Sequence, residues 1–409
     1  MEITGAAERI LAYGPCCDHC LGRFFGKRGH GLTNDQRGLA VRIAGSVEKN
    51  IPYEPFSGTC WICGNFFDKV PAWAGRVVQA LSGIEYMTFL VGCRVPPMIA
   101  ECEEMVISDL SLADAEPFKS EANREVGKAV SAMTGKAVDF KKPDVVVLLD
   151  PSQDTIEVQI NPVFLYGRYR KFERGIPQTH WNCRACRGAG CERCNFTGKQ
   201  YQDSVEELIG RPVVDMFEAE NAILHGAGRE DIYARMIGTG RPFVLEIVSP
   251  RRRSADLKNL EADINRSASG RVEVEIGRWS ERSEVETLKS DKAHKKYRIV
   301  VEADGAPSAD AFAKAVKSLS GAKISQRTPE RVAHRRADKI RERRVLDILC
   351  TGEEAGKFIV EVTGESGLYI KELISGDNGR TTPSLSSALG TPARVTSLDV
   401  VLVEEKKGE

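Results

Sequence analysis

Apolar residues recur at helical spacing around Asp35 to Glu48, over Ala72 to Gly83 and over Ser120 to Thr134, and the last two runs each end at a glycine. Pro143 to Asp150 (PDVVVLLD) carries the β-branched run of a buried strand, and Thr155 to Ile160 alternates like a half-buried partner. The first region therefore reads as α+β. Further on, Arg241 to Val248, Arg271 to Gly277, Tyr297 to Glu302, Val345 to Cys350, Lys357 to Thr363 and Leu398 to Glu404 read as strands, with helical patterns around Leu257 to Asn265 and Ser308 to Leu319. They lack the regular rhythm of βαβ units, so the predicted class is α+β, with a mixed, largely antiparallel sheet flanked by helices. Between the two regions CRACRGAGCERCNFTGKQY breaks every period. The predicted organisation is an accessory region at 1–181, a Cys-rich connector at 182–203 and a second domain at 204–409. No repeat of solenoid length occurs.

At 409 residues the chain has room for two or three cores. Lys+Arg balance Asp+Glu at 58 each, so net charge names no partner and local clusters must be read instead. No apolar run is long enough to span a membrane, and MEITGAAERILAYG lacks a secretory layout, so a cytoplasmic protein is expected.

A reducing compartment leaves the 12 cysteines to be explained without disulfides. Eight fall in Cys-x-x-Cys pairs, the knuckle that presents two thiolates to one tetrahedral metal. Cys17, Cys20, Cys60 and Cys63 are expected to hold a structural zinc. Cys183, Cys186, Cys191 and Cys194, separated by a short glycine-containing bridge, form a possible second site, the alternative being an exposed loop of thiols. Both would close the metal with four sulfurs, leaving no open position for catalysis. Cys93, Cys102 and Cys350 sit in apolar surroundings and read as small core residues; Cys16 adjoins a pair and stays ambiguous.

Three stretches concentrate positive charge. Tyr166 to Arg174 (YGRYRKFER) interleaves aromatics with Arg168, Arg170 and Lys171, as a surface that grips phosphates and stacks bases would. Gln326 to Arg344 holds Arg327, Arg331, Arg335 and Arg336 among eight Lys/Arg against three acids, and Arg251 to Arg253 adds a third patch. Any one patch is as readily a solvated face. Together they favour nucleic acid, and structured RNA over duplex DNA, since no recognition helix, finger histidine pair or basic zipper is present.

GREDIYARMIGTGRPFVLEI, residues 228–247, sets Asp231 among Arg229, Arg235 and Arg241. The plain reading is a turn aspartate paired with surface arginines. A reacting carboxylate, however, must stay ionised inside a partly closed pocket, and neighbouring cations keep it so. The segment 228–246 resembles the catalytic segment of the archaeal tRNA pseudouridine synthase Pus10 family. Lys295-Lys-Tyr-Arg298 looks like its tyrosine-bearing strand, and Glu365 to Leu373 (ESGLYIKEL) resembles the Ser-Gly-x-Tyr-Ile-Arg-x-Leu motif, with Lys371 where some relatives have arginine. The Cys pairs, the Lys142 to Val147 strand and Tyr166 to Lys171 look like the THUMP-containing, RNA-binding half.

The resemblance implies an isomerase that converts tRNA T-loop uridines 54 and 55 to pseudouridine after base flipping. Asp231 would be the essential residue, Tyr297 would stack on the base and assist proton removal, and Lys371 would keep Asp231 ionised. Leu373 would shape the apolar wall and Arg229 would fill the gap left by the flipped base, while Arg235 and Arg241 support the loop or touch phosphate. The remaining cations of 327–344, with Tyr166 to Lys171, would grip tRNA. No redox or nucleotide cofactor and no obligatory protein partner are implied. A methyltransferase would need a Gly-x-Gly-x-x-Gly loop and a thiolation enzyme a phosphate-binding loop, and neither is present. The rival is a non-catalytic, zinc-stapled tRNA-binding or chaperone module in which Asp231 is structural.

Overall fold

The β-branched run Val145–Asp150 forms the centre of a four-stranded sheet, parallel to Thr88–Cys93 on one side and antiparallel to Thr155–Ile160 on the other, with Ala137–Val138 at the far edge. Val145, Val147 and Leu149 are buried with Phe118, Ala122, Val126 and Val130 of the helix Phe118–Thr134. That helix ends where Gly135 takes a left-handed φ of +68°. The expected helix near Asp35 runs over Asn34–Lys49 behind a Thr33/Gln36 capping box. The structure, a computed structural model, describes residues 2–290, 293–333 and 337–404. It divides into two compact units, Met1–Asn161 and Pro162–Glu409.

The second unit carries a ten-stranded sheet. From one edge its order is Thr381–Thr382, Lys323–Arg327, Ile340–Glu354, Lys357–Gly364, Lys295–Ala303, Ala393–Val403, Arg235–Val248, Val163–Lys171 and Val272–Ser280, with Asn221–Gly226 also on Arg235–Val248. All pairings are antiparallel except Ala393–Val403 with Arg235–Val248, as expected for a mixed, largely antiparallel sheet. Alternation builds the core: in Lys357–Gly364, Phe358, Val360 and Val362 are buried while their neighbours are half-buried.

Two expectations are corrected. The accessory region does not reach 181, because Val163–Lys171 hydrogen-bonds between two strands of the second sheet. The break in the chain therefore falls at 161/162 rather than in the Cys-rich segment. Nor does the 235–248 strand begin at Arg241. It begins at Arg235 and bulges through Gly238 and Gly240, whose φ values are +66° and +70°. A Cβ at these glycines would sit 2.0 Å from the Val401 carbonyl oxygen and 2.7 Å from that of Tyr169, so only glycine lets the neighbouring strands close on the bulge.

Candidate active site

Asp231 sits in a turn between Asn221–Gly226 and Arg235–Val248 whose flanking residues are both anchored inward. On its N-terminal side the buried Glu230 accepts hydrogen bonds from the Tyr169 hydroxyl at 2.8 and 2.9 Å and lies 3.0 Å from Arg241 Nε. Gln178 Nε2 donates to the Tyr169 oxygen at 2.8 Å and to the Gly228 carbonyl at 3.0 Å. On the other side the fully buried Lys171 donates to the carbonyls of Ile232 at 3.1 Å and Ile176 at 2.8 Å. Burial pushes the Lys171 amine below its usual range even though Glu230 and Asp231 pull the other way. Held at both neighbours, the Asp231 carboxylate projects into a cavity of about 530 Å³.

The cations that meet Asp231 come from far along the chain. Lys371 Nζ lies 3.2 Å from Oδ1 and Arg331 Nη1 donates to Oδ2 at 3.1 Å, while the Tyr233 amide donates to Oδ1 at 3.1 Å. Burial favours the neutral acid, but Lys371, the Tyr233 amide and Arg331 together hold its pKa below the ordinary carboxylate value. Arg331 is clamped from behind by the buried Glu372, 2.6 Å from its Nε. Lys371 is set at the start of the short helix Ile370–Ser375 by the fully buried Gln326, whose amide group makes two 2.9 Å hydrogen bonds to the backbone of Tyr369.

Lys295 and Tyr297, two apart on one strand, both line the cavity, and Leu368, Ile370, Leu398 and Val400 supply its apolar wall. Burial raises the Tyr297 pKa despite the nearby Arg241 charge. Arg229, Arg241, Lys295, Arg331, Arg341, Arg343 and Lys371 face two acids across this cavity, Glu230 and Asp231. Both acids are paired, so the site as a whole favours an anionic ligand.

Several sequence expectations move. Of the three local arginines, Arg241 is buried on Glu230, and Arg235 binds Asp399 through two contacts of 2.9 and 2.6 Å; each supports the fold. Arg229 lines the cavity with its guanidinium 5.0 Å above the Trp181 ring. Leu373 is fully buried in the core beneath the cavity and is not among its lining residues. The Tyr166 to Lys171 stretch is a strand, and alternation sorts it: Tyr169 and Lys171 turn into the core, so Lys171 cannot grip phosphate. Arg168 donates to the carbonyls of Thr239, Gly240 and Val403, Arg170 pairs with Glu273 at 3.0 Å, and Arg278 lies 4.7 Å over Tyr166. Arg327 is neutralised by Asp338 at 2.8 Å, Arg331 belongs to the Asp231 site, and Arg335 and Arg336 lie outside the described residues. Missed altogether was Glu230, whose place between Arg229 and Asp231 gave no sign that it points inward.

The two Cys quartets each bring four sulfurs within 4.8 Å of one another. Cys17 and Cys63 are 3.7 Å apart in the first unit; in the second, Cys183–Cys191, Cys186–Cys194 and Cys191–Cys194 are 4.0, 3.8 and 3.7 Å apart. A tetrahedron with metal–sulfur bonds of about 2.3 Å has edges of about 3.8 Å, so the residues present fit a tetrathiolate metal. Cys93 is buried, and Cys102 and Cys350 are partly so, outside either quartet.

A family profile described as Pus10, C-terminal, matches residues 164–404, and one described as Pus10 THUMP domain, archaeal, matches residues 73–150. These limits also put Tyr166 to Lys171 in the second unit, outside the THUMP match. The tRNA pseudouridine synthase Pus10 of Halorubrum lacusprofundi is 46% identical over 413 aligned residues, covering 99% of this chain and 97% of the relative. That of Methanothermobacter marburgensis is 47% identical over 394, covering 95% of each. The Archaeoglobus fulgidus protein of the same name is 46% identical over 345, covering 84% of this chain and 94% of its own. Among the described residues no helix is long and apolar enough to cross a membrane.

Proposed function

Because the chain belongs to the Pus10 family of tRNA pseudouridine synthases, we propose that it isomerises uridines 54 and 55 of the tRNA T-loop, with Asp231 as the essential reacting group. The observation that carries this is the pairing of Asp231 with Lys371 and Arg331 inside a cation-lined cavity of about 530 Å³ that also contains the Tyr297 side chain, large enough for one nucleotide.

In the reaction the target uridine leaves its stack, at a cost of a few kcal/mol. Asp231, ionised, attacks or supports the sugar as the N1–C1′ bond breaks. The freed uracil turns within the cavity and a C5–C1′ bond forms, after which C5 loses its proton and N1 carries one. Atoms and electrons balance within the nucleotide, so no redox partner enters. Tyr297 stacks on the base and takes part in moving the C5 proton; Arg229 fills the space that the base has left. Arg331, expected among the tRNA-gripping residues, shares with Lys371 the task of keeping Asp231 charged. A non-catalytic tRNA-binding or chaperone module would have no use for an ionised acid held at both flanks inside a cavity. Mapping pseudouridine on an unmodified tRNA transcript after incubation with the protein tests the assignment: signal at 54 and 55 is expected, and a blank map sinks it.

The depressed Asp231 pKa fixes a pH dependence. Its ionised form persists to pH values below the ordinary carboxylate range of about 4, so kcat/KM should show no acid limb from Asp231 between pH 5 and 8. The same depression adds native stability that is present above the unfolded-state pKa and lost as pH falls through the folded one. Lys371→Met removes the largest cause of the depression, and the acid limb should move to higher pH. A limb that stays in place would show that Lys371 does not set the charge of Asp231.

Zinc is the metal best matched to two closed sets of four sulfurs, and a cytoplasmic location keeps those thiols reduced. Elemental analysis of the purified chain should find two zinc per chain, without added metal, and none would refute both sites.

A further inference from the structure

The second Cys quartet carries three cations that neither the fold nor the metal uses. Arg184, Arg187 and Arg193 are exposed, and among the described residues none of their guanidinium groups has an ion-pair or hydrogen-bond partner. Elsewhere in the same unit comparable arginines are neutralised, Arg211 by Asp203, Arg278 by Glu284 and Arg394 by Glu302. On the same knuckle Phe196 is 74% exposed, an apolar ring left in water beside unpaired positive charge.

The knuckle is joined to the cavity by a short stem. Asn182 bridges to Lys199, the Cys183 amide donates to the Gly198 carbonyl at 2.7 Å, and the Gln200 amide donates to the Trp181 carbonyl at 2.9 Å. Trp181, at the foot of that stem, lines the cavity beneath Arg229 and packs edge-on against Tyr201 with ring centres 5.7 Å apart. The four sulfurs at the far end of the stem lie within 4.8 Å of one another, and a metal held by them would fix that end. Thus a rigid, small, cationic projection with one exposed aromatic stands next to the mouth of the Asp231 cavity.

We propose that the knuckle Cys183–Cys194, with Phe196, is a substrate-binding jaw. Arg184, Arg187 and Arg193 bind phosphates of the single-stranded RNA next to the target uridine, and Phe196 stacks on a base of that strand. The proposal rests on the RNA-modifying role inferred above and adds residues to it. Cations that only solvate a face need neither an exposed aromatic among them nor a stem that ends in the cavity wall.

The test uses the full-length, metal-loaded chain and an unmodified tRNA transcript. Arg184→Ala/Arg187→Ala/Arg193→Ala should weaken transcript binding about tenfold at near-physiological salt and make log Kd against log salt shallower by roughly two. KM should rise with Kd while kcat stays within about twofold, because none of the three touches the reacting atoms. Phe196→Ala should cost a further fivefold or more in Kd, in the range of one lost base stack. Lys258→Ala/Lys314→Ala/Lys317→Ala, with the same change in charge on exposed helical positions, should leave Kd and its salt slope near wild type. Equal metal content in all variants guards against a collapsed knuckle. A wild-type Kd and slope in the arginine variant would overturn the jaw. A blank pseudouridine map with wild type would instead overturn the isomerase reading, and the binding arm would still decide the jaw.

Discussion

Asp231→Asn is expected to leave a folded protein that binds tRNA as wild type does and forms no detectable pseudouridine, a loss on the order of 10³-fold or more. The substitution keeps the side chain's size and its acceptor for the Tyr233 amide, so the turn should hold. Lys371 and Arg331 lose an ionic partner, but their side chains are 32% and 40% exposed and water can take its place. The change in stability should therefore stay within about 1 kcal/mol. Binding is spread over the cations of the cavity, so the loss of one already paired negative charge should leave affinity near wild type. What disappears is the negative charge that the proposed mechanism sets against C1′ of the flipped nucleotide. Thermal melting, transcript binding and pseudouridine mapping on one preparation separate these outcomes. Activity within tenfold of wild type would remove Asp231 from the chemistry.

How much of this was legible in the sequence depended on how local each signal is. The Cys quartets were legible because each knuckle is written within four residues and the ligand set needs only two knuckles. The alternating strands around Tyr297 and Lys357 were legible for the same reason, a period of two in one short run. The partners of Asp231 were not. Sequence proximity pointed to Arg229, Arg235 and Arg241, whereas the sheet order brings Arg331 and Lys371 to it, and the first of these had been counted with a phosphate-binding patch. Lys171 was misread because YGRYRK looks uniformly polar until it is laid on a strand, which sends Tyr169 and Lys171 inside. The helix Val205–Phe217 was passed over although Ser204 and Glu207 carry its N-terminal capping signal and Val205, Leu208, Ile209, Val213 and Phe217 form its buried stripe. Pro212 in its interior broke the helical pattern to the eye. The family resemblance supplied Lys371, which no spacing rule would have paired with a residue so distant.

The inward anchor of the turn leads to the second large effect, on stability. Arg241→Met places an apolar chain of similar length where a guanidinium lay 1% exposed and takes from the buried Glu230 its ion-pair partner, leaving it the hydrogen bonds of the Tyr169 hydroxyl and the Gln178 amide. Breaking a buried pair in this way costs about 3–5 kcal/mol. For a unit of this size the melting temperature of the second domain should fall by roughly 6–20 °C. The Ala227 carbonyl also loses its 2.6 Å hydrogen bond from Arg241, so the segment leading into Asp231 loosens at two points and kcat should fall as well. Glu230→Gln added to Arg241→Met removes the orphaned charge while keeping an acceptor for Tyr169, and should restore most of the lost stability. Its kcat should recover less, since residue 230 then keeps its tie to Tyr169 but not the one to position 241. If the single variant melts within about 2 °C of wild type, the buried pair does not brace the turn, and the fixed position of Asp231 must come from Lys171 and the Tyr233 amide alone.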